Sequence, residues 1–211
     1  MTEFLLQAFI ALLVVIDPVG MSPIFVGLTR AGQPQFQRRM AWRGVGLATV
    51  VLVAFAFGGP ALLGFLGIGL PAFRIAGGVM LFLIAVDMLF ARPSGLRSTT
   101  EGEMEEAAHQ EDISVFPLAI PLIAGPGAMT TVVLLMGKAN GQPAMVAAVV
   151  GTMIAVLGLT LISLLFSVRM TALLGVTGSN VISRVLGIVL AALAVQFALD
   201  GLLTSALFLG K

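Results

Sequence analysis

"IDPVGMSPIF", residues 16–25, puts one acid, two prolines and a glycine inside the first apolar run of the chain. Proline in a helix interior removes a hydrogen bond and clashes with the preceding turn, at a cost of about 3 kcal/mol or more. One such proline reads as a kink. Here the disruption returns 108 residues later, from Pro18 to Pro126, in "FPLAIPLIAGPGAMTT" (116–131), which holds Pro117, Pro121 and Gly125-Pro126-Gly127. Interruptions at matching places in two halves of a membrane protein point to a transporter binding site.

The surrounding composition is that of a membrane protein. Of 211 residues, 59% are hydrophobic and 10% are charged, against about a quarter charged in soluble domains. The mean hydropathy is +1.11. Apolar stretches near 20 residues recur, each long enough for a hydrocarbon core of about 30 Å. Six spans are expected at 4–28, 44–66, 72–91, 115–137, 144–166 and 182–208. All should be helices, because an open strand edge in hydrocarbon leaves backbone groups unsatisfied. The N-terminus lacks the basic segment and small-residue cleavage site of a signal peptide, so the first span is expected to be retained.

Basic residues orient these spans. Arg30, Arg38, Arg39, Arg43, Arg92, Arg97, Arg169 and Arg184 fall in the first, third and fifth loops, against Arg74, Lys138 and Lys211 on the other side. Odd loops are therefore expected in the cytoplasm and both termini outside. The third loop carries an acidic run (Glu101, Glu103, Glu105, Glu106, Glu111, Asp112), read as a solvated linker in preference to a docking site for a basic partner.

The chain resembles itself across that loop. "DPVGMSPIFVGLTRAGQP" (17–34) aligns with "GPGAMTTVVLLMGKANGQP" (125–143), and "GGVMLFLIAVDML" (77–89) with "LGIVLAALAVQFAL" (186–199). Arg74 then meets Arg184, and the offset stays at 108–110 residues throughout. Each half has three spans, an odd number, so the second half enters the membrane from the opposite side. The expected architecture is all-α: two inverted three-helix repeats (1–91 and 115–211) joined by a cytoplasmic linker (92–114), with the first and fourth helices broken.

Asp17-Pro18 and Ser22-Pro23 each read as an N-cap followed by proline at the first helical position. Gly125 and Gly127 allow backbone angles that other residues resist. Each break frees carbonyls from one half-helix and amides from the next. The amide end, with about half a positive charge, suits a carboxylate; the carbonyls suit an ammonium group or cation. Two facing breaks would hold a small zwitterion. The expected substrate-binding residues are Asp17, Pro18, Val19, Gly20, Ser22, Pro23, Gly125, Pro126, Gly127, Thr130 and Thr131. Ser22, Thr130 and Thr131 can instead bond back to their own helices. Asp17 lies roughly 20 Å along the first span at 1.5 Å per residue, and an acid at that depth is a functional-site candidate by default. It is the candidate proton carrier, and also a cap for the helix that Pro18 starts. Asp87 and Asp200, near span ends, are read as solvated at the interface.

"DPVGMSPIF", "RIAGGVMLFLIAVDMLFA", "FPLAIPLIAGPGAMTTV" and "RVLGIVLAALAVQFALDG" together resemble the MarC family of bacterial and archaeal membrane proteins over nearly the whole chain. Some members, the SnatA proteins, are proton-coupled transporters of glycine and alanine. The resemblance implies a six-span carrier of such substrates in the bacterial inner membrane, with Asp17 and the Gly125-Pro126-Gly127 break at its site.

The expected activity is secondary transport of small neutral amino acids, coupled to H⁺, with no cofactor and no metal. A membrane enzyme lacks its parts: there is no cysteine, the single histidine (His109) lies in the linker, and no paired intramembrane acids stand ready for catalysis. A passive channel or efflux carrier of small solutes is the alternative, although no ring of charges marks a pore. The net charge of +1 gives no hint of nucleic acid. The expected partners are a small zwitterionic solute and the bilayer, with a homo-oligomer left open.

Overall fold

Proline placement sets where most of the helices begin. In a computed structural model describing residues 2–29, 33–91 and 112–205, the segments are α1 (Thr2–Ile16), α2 (Pro18–Leu28), α3 (Pro34–Phe65), α4 (Leu70–Phe90), α5 (Ser114–Ile123), α6 (Pro126–Ala139), α7 (Pro143–Leu165) and α8 (Ser167–Thr204). Five of them carry proline in their first two positions: Pro18, Pro34, Pro71, Pro126 and Pro143. There the missing N–H costs nothing and the fixed φ suits a helix. No strand occurs among the described residues. The linker residues 92–111, with His109 and most of the acidic run, lie outside them.

Five stretches are long and apolar enough to cross a membrane: Thr2–Leu28, Pro34–Phe65, Leu70–Phe90, Pro143–Leu165 and Ser167–Thr204. The bent pair α5–α6 makes a sixth when taken as one span. Two expected boundaries need correction. α3 begins at Pro34, ten residues before the expected 44, and α8 at Ser167, fifteen before the expected 182. Hydropathy marks only what must lie in lipid, whereas arginines such as Arg38 and Arg43 are good helix formers that extend a helix into the polar layer. Within α8 the axis breaks at Gly175 (φ 65°, ψ 177°), which divides 167–174 from 176–204. That backbone region is essentially reserved for glycine.

The most extensive interhelix contact joins α4 and α8, and small residues make it possible. A Cβ placed on Gly78 would stand 2.6 Å from the Ala194 carbonyl oxygen and 2.8 Å from Ala198 N. One on Gly187 would stand 2.9 Å from Met88 Cβ, and one on Gly201 would stand 2.8 Å from the Pro71 carbonyl oxygen. The register runs from Pro71 beside Gly201 to Met88 beside Gly187, so the two helices are antiparallel. Lipid offers no hydrophobic drive for helix pairing, and close backbone approach through small residues replaces it. Outward-facing Phe57, Phe65, Val50 and Leu203 are more than half exposed, as a lipid-facing surface requires.

Ion pairs mark opposite ends of the α5–α6 span. At its start Arg43 Nη1 meets Asp112 Oδ2 at 2.6 Å, and Ser114 donates to Asp112 Oδ1 through its amide (2.9 Å) and its hydroxyl (2.5 Å). The Ser114 hydroxyl, then its amide, hold the Asp112 carboxyl below the usual range; burial opposes them and Arg43 and Arg39 assist. At the other end Lys138 Nζ meets Asp200 Oδ2 at 3.0 Å. Asp200, expected to be merely solvated, is therefore half of an interhelical pair.

Candidate functional site

Asp17 occupies the single residue between α1 and α2, in the left-handed region (φ 46°, ψ 69°). Aspartate visits that region more readily than most residues because its short side chain bonds locally. Here Oδ1 accepts the Gly20 N–H at 3.0 Å, the N-cap geometry expected for an Asp-Pro start. Oδ2 accepts the hydroxyl of Ser183, on α8, at 2.6 Å. The side chain is fully buried. Asp17 N–H still bonds the Leu13 carbonyl (2.9 Å) and its own carbonyl accepts Met21 N–H (3.1 Å), so α1 and α2 continue as one span. Gly20 is required for this fit, because a Cβ there would meet the Asp17 carboxylate and lie 2.5 Å from Ser183 Oγ.

Ser22-Pro23 is not a second helix start. Pro23 lies inside α2, and the Ser22 hydroxyl is engaged elsewhere, 3.2 Å from the Pro18 carbonyl and 2.9 Å from Ser163 Oγ on α7. Ser163 Oγ in turn reaches the Pro18 carbonyl at 2.7 Å and Met170 Sδ at 3.4 Å. Each hydroxyl has one proton, and the shortest chain runs from Ser22 to Ser163 to the Pro18 carbonyl. Pro23 has no N–H to offer the Val19 carbonyl four residues back. That carbonyl, on a half-buried residue, is the one that Pro23 frees within α2.

The second break is sharper. The axes of α5 and α6 meet at 55°. α5 is wound with π-type spacing, and Phe116 and Ile120 take extended angles, which a following proline favours; the peptide bonds to Pro117 and Pro121 are cis. Gly125 precedes α6 with no side-chain cap, so the amides opening α6 have no carboxylate of their own. Gly127 packs tightly: a Cβ there would stand 2.7 Å from Ile84 Cδ1 and 3.1 Å from Val15 Cγ1.

Val15 thus brings the breaks together, two residues before Asp17 on one side and against Gly127 on the other. The cavity among Val15, Ile84, Pro121, Gly125 and Gly127 measures only 10 Å³, about the room of one water. Thr131 bonds back to the Gly127 carbonyl at 2.8 Å. Thr130 lines an apolar cavity of 230 Å³ beside Phe55, Phe73 and Pro126. Among the described residues no three Asp, Glu, His or Cys side chains gather to hold a metal ion.

A family model described as MarC family integral membrane protein matches residues 2–206. The chain belongs to the MarC family. The UPF0056 membrane protein YvbG of Bacillus subtilis is 36% identical over 202 residues, covering 96% of this chain and 95% of that protein. A UPF0056 membrane protein of Archaeoglobus fulgidus is 34% identical, covering 95% and 92%. The UPF0056 inner membrane protein YhgN of Escherichia coli K12 is 33% identical, covering 94% and 95%. No solved structure matches.

In this MarC protein, Asp17, Pro18, Gly20 and Ser22 form one cluster, and Gly125, Pro126 and Gly127 form the adjoining break. Ser163, Met170 and Ser183, which complete the first cluster, were not among the expected site residues. The available signal was modest: hydroxyls in the apolar runs "TLISLLF" (160–166) and "SNVISRVL" (179–186), each buried in the fold.

Proposed function

We propose that this MarC protein is a secondary transporter of small neutral amino acids in the inner membrane, coupled to protons through Asp17. The observation that carries the reading is the pairing of two unlike helix breaks. One holds a fully buried carboxylate and the freed Val19 carbonyl. The other, touching it through Val15, opens on an uncapped helix N-terminus. An uncapped N-terminus attracts a carboxylate, and a buried carboxylate attracts ammonium or a proton. A zwitterion carries both complements.

The cavity of 10 Å³ at the second break does not admit such a solute, so binding requires the halves to part. Alternating access by rocking of two inverted repeats, 1–91 and 115–211, supplies that motion. Supporting it are the repeat offset of 108–110 residues and the antiparallel α4–α8 packing, in which Gly78 and Gly187 each lie against the partner helix. The Arg43–Asp112 end is cytoplasmic and the Lys138–Asp200 end external, following the arginine bias. The tight packing of Gly127 against Val15 and Ile84 favours a carrier over a channel.

The test is uptake of labelled glycine into proteoliposomes under an imposed pH gradient. Asp17→Asn, which retains an oxygen for the Gly20 cap, is expected to abolish gradient-driven uptake while leaving the melting temperature within a few degrees of wild type. Uptake by the mutant at the wild-type rate overturns proton coupling through Asp17.

A further inference from the structure

About 15 Å outward from Asp17 along α1, at 1.5 Å per residue, Gln7 enters a second polar cavity. It measures 380 Å³ and is lined by Gln7, Lys138, Gln196, Phe197 and Asp200 on α1, α6 and α8. These are the three helices that carry Asp17, the Gly125-Pro126-Gly127 break and Ser183. Lys138 stands 12 residues beyond Pro126, roughly 18 Å, so the cavity and the breaks lie along the same helices. The cavity is far larger than the 10 Å³ one at the second break.

Its chemistry is that of a zwitterion in two pieces. Lys138 Nζ lies 3.0 Å from Asp200 Oδ2, and their side chains are 26% and 25% exposed, so the pair opens onto the cavity. Gln196 Nε2 donates to the other carboxylate oxygen at 2.7 Å. Lys138 also sits 5.0 Å from the centre of the Phe197 ring, a cation–π contact that holds the ammonium at the cavity wall. Arg74 on α4 donates to Thr204 Oγ1 at 3.4 Å, adding positive charge behind Asp200. A partly exposed ion pair contributes little net stability, so a ligand bearing both charges can replace each partner with its own.

We propose that this cavity is an outer capture site for small zwitterions, in which Lys138 takes the carboxylate and Asp200 the ammonium group before the solute moves inward. The inference rests on the transport reading, because it makes the cavity the external approach to the breaks. It deepens that reading by assigning to Lys138 and Asp200 a ligand role separate from that of Asp17.

Equilibrium binding of labelled glycine to the purified full-length protein separates the two. In an Asp17→Asn background, binding is expected to persist. Adding Lys138→Gln or Asp200→Asn is expected to weaken it at least tenfold, and glycine methyl ester and N-acetylglycine, each lacking one charge, should compete poorly. Should the single variants unfold, the reversed pair Lys138→Asp with Asp200→Lys keeps both charges in the cavity and should bind glycine where either single variant does not. Absence of glycine binding in the Asp17→Asn background, or affinity within twofold after neutralising Lys138 and Asp200, overturns the capture site. Binding that depends on Lys138 and Asp200 without any glycine uptake by wild-type proteoliposomes upholds the capture site and overturns the transport reading.

Discussion

Ser183→Ala removes a single oxygen from the tie between α8 and the first break, and its effect can be worked from the structure. The Ser183 hydroxyl donates to Asp17 Oδ2 at 2.6 Å; Asp17 is fully buried and Ser183 is 7% exposed, so bulk water does not take the donor's place. A hydrogen bond to a charged group contributes about 1.5–3 kcal/mol net. Alanine is nearly isosteric with serine, which keeps any cavity term small. For a chain of this size about 1 kcal/mol moves the melting temperature by roughly 2–4 °C, so Ser183→Ala should lower it by roughly 3–12 °C.

A double-mutant cycle makes the assignment specific. Asp17→Ala also loses the Gly20 cap, worth about 0.5–2 kcal/mol, and places alanine at positive φ, so its total loss is not informative alone. Those terms occur on both arms of the cycle and cancel in the coupling energy, provided that Asp17 and Ser183 interact only through their bond. Denaturation of the four proteins in mixed micelles should give a coupling of about 1.5–3 kcal/mol. A coupling under about 0.5 kcal/mol, the size of ordinary non-additivity between distant sites, refutes the view that Ser183 holds the Asp17 carboxylate.

Two further perturbations test the packing and the ends of the bundle. Gly78→Ala and Gly187→Ala should each cost about 1–3 kcal/mol as overpacking, since the new methyl group meets partner-helix atoms at 2.6 Å and 2.9 Å. Gly58→Ala on α3, where nothing lies within 4 Å, should be neutral or stabilise by about 0.4–1 kcal/mol; equal losses at all three would refute the close-approach account. For Asp112 the folded carboxyl titrates below the ordinary value of 3.8, so its stabilisation is present above that value and lost as pH falls through the folded one. Melting curves of wild type and Asp112→Ala should therefore differ by a constant amount at neutral and mildly acidic pH and converge below pH 3.8; a gap that persists in acid assigns the effect to packing.

The two breaks were legible because proline and glycine act locally. Asp17-Pro18 and Gly125-Pro126-Gly127 are helix starts whatever surrounds them, and both lie where the pattern puts them. Ser22-Pro23 carries the same local signal and is no start. Its outcome turns on Ser163, 141 residues away, which bonds the hydroxyl that would have capped. The α3 and α8 overhangs were missed because hydropathy reports what lipid demands and is silent on helix continuing through polar residues. Asp200 was misjudged for the same kind of reason: its partner Lys138 stands on another helix, and neither residue marks the other in the sequence.

What the fold adds to the paired breaks is their difference. The first leaves α1 and α2 in one span and is already capped by its own carboxylate, which serves both the Gly20 amide and the Ser183 hydroxyl. The second is bent by 55° and leaves the start of α6 without a side-chain cap. Were Gly125 an aspartate like its counterpart Asp17, its own carboxylate could cap the amides that open α6. Neither helix N-terminus would then be open to an outside anion. In the transport reading proposed above, one acid and one uncapped helix end form the charge pattern that an amino acid would complement. In this reading the asymmetry is the specificity: the repeat supplies two breaks, and the difference between residues 17 and 125 decides which receives the positive group and which the negative.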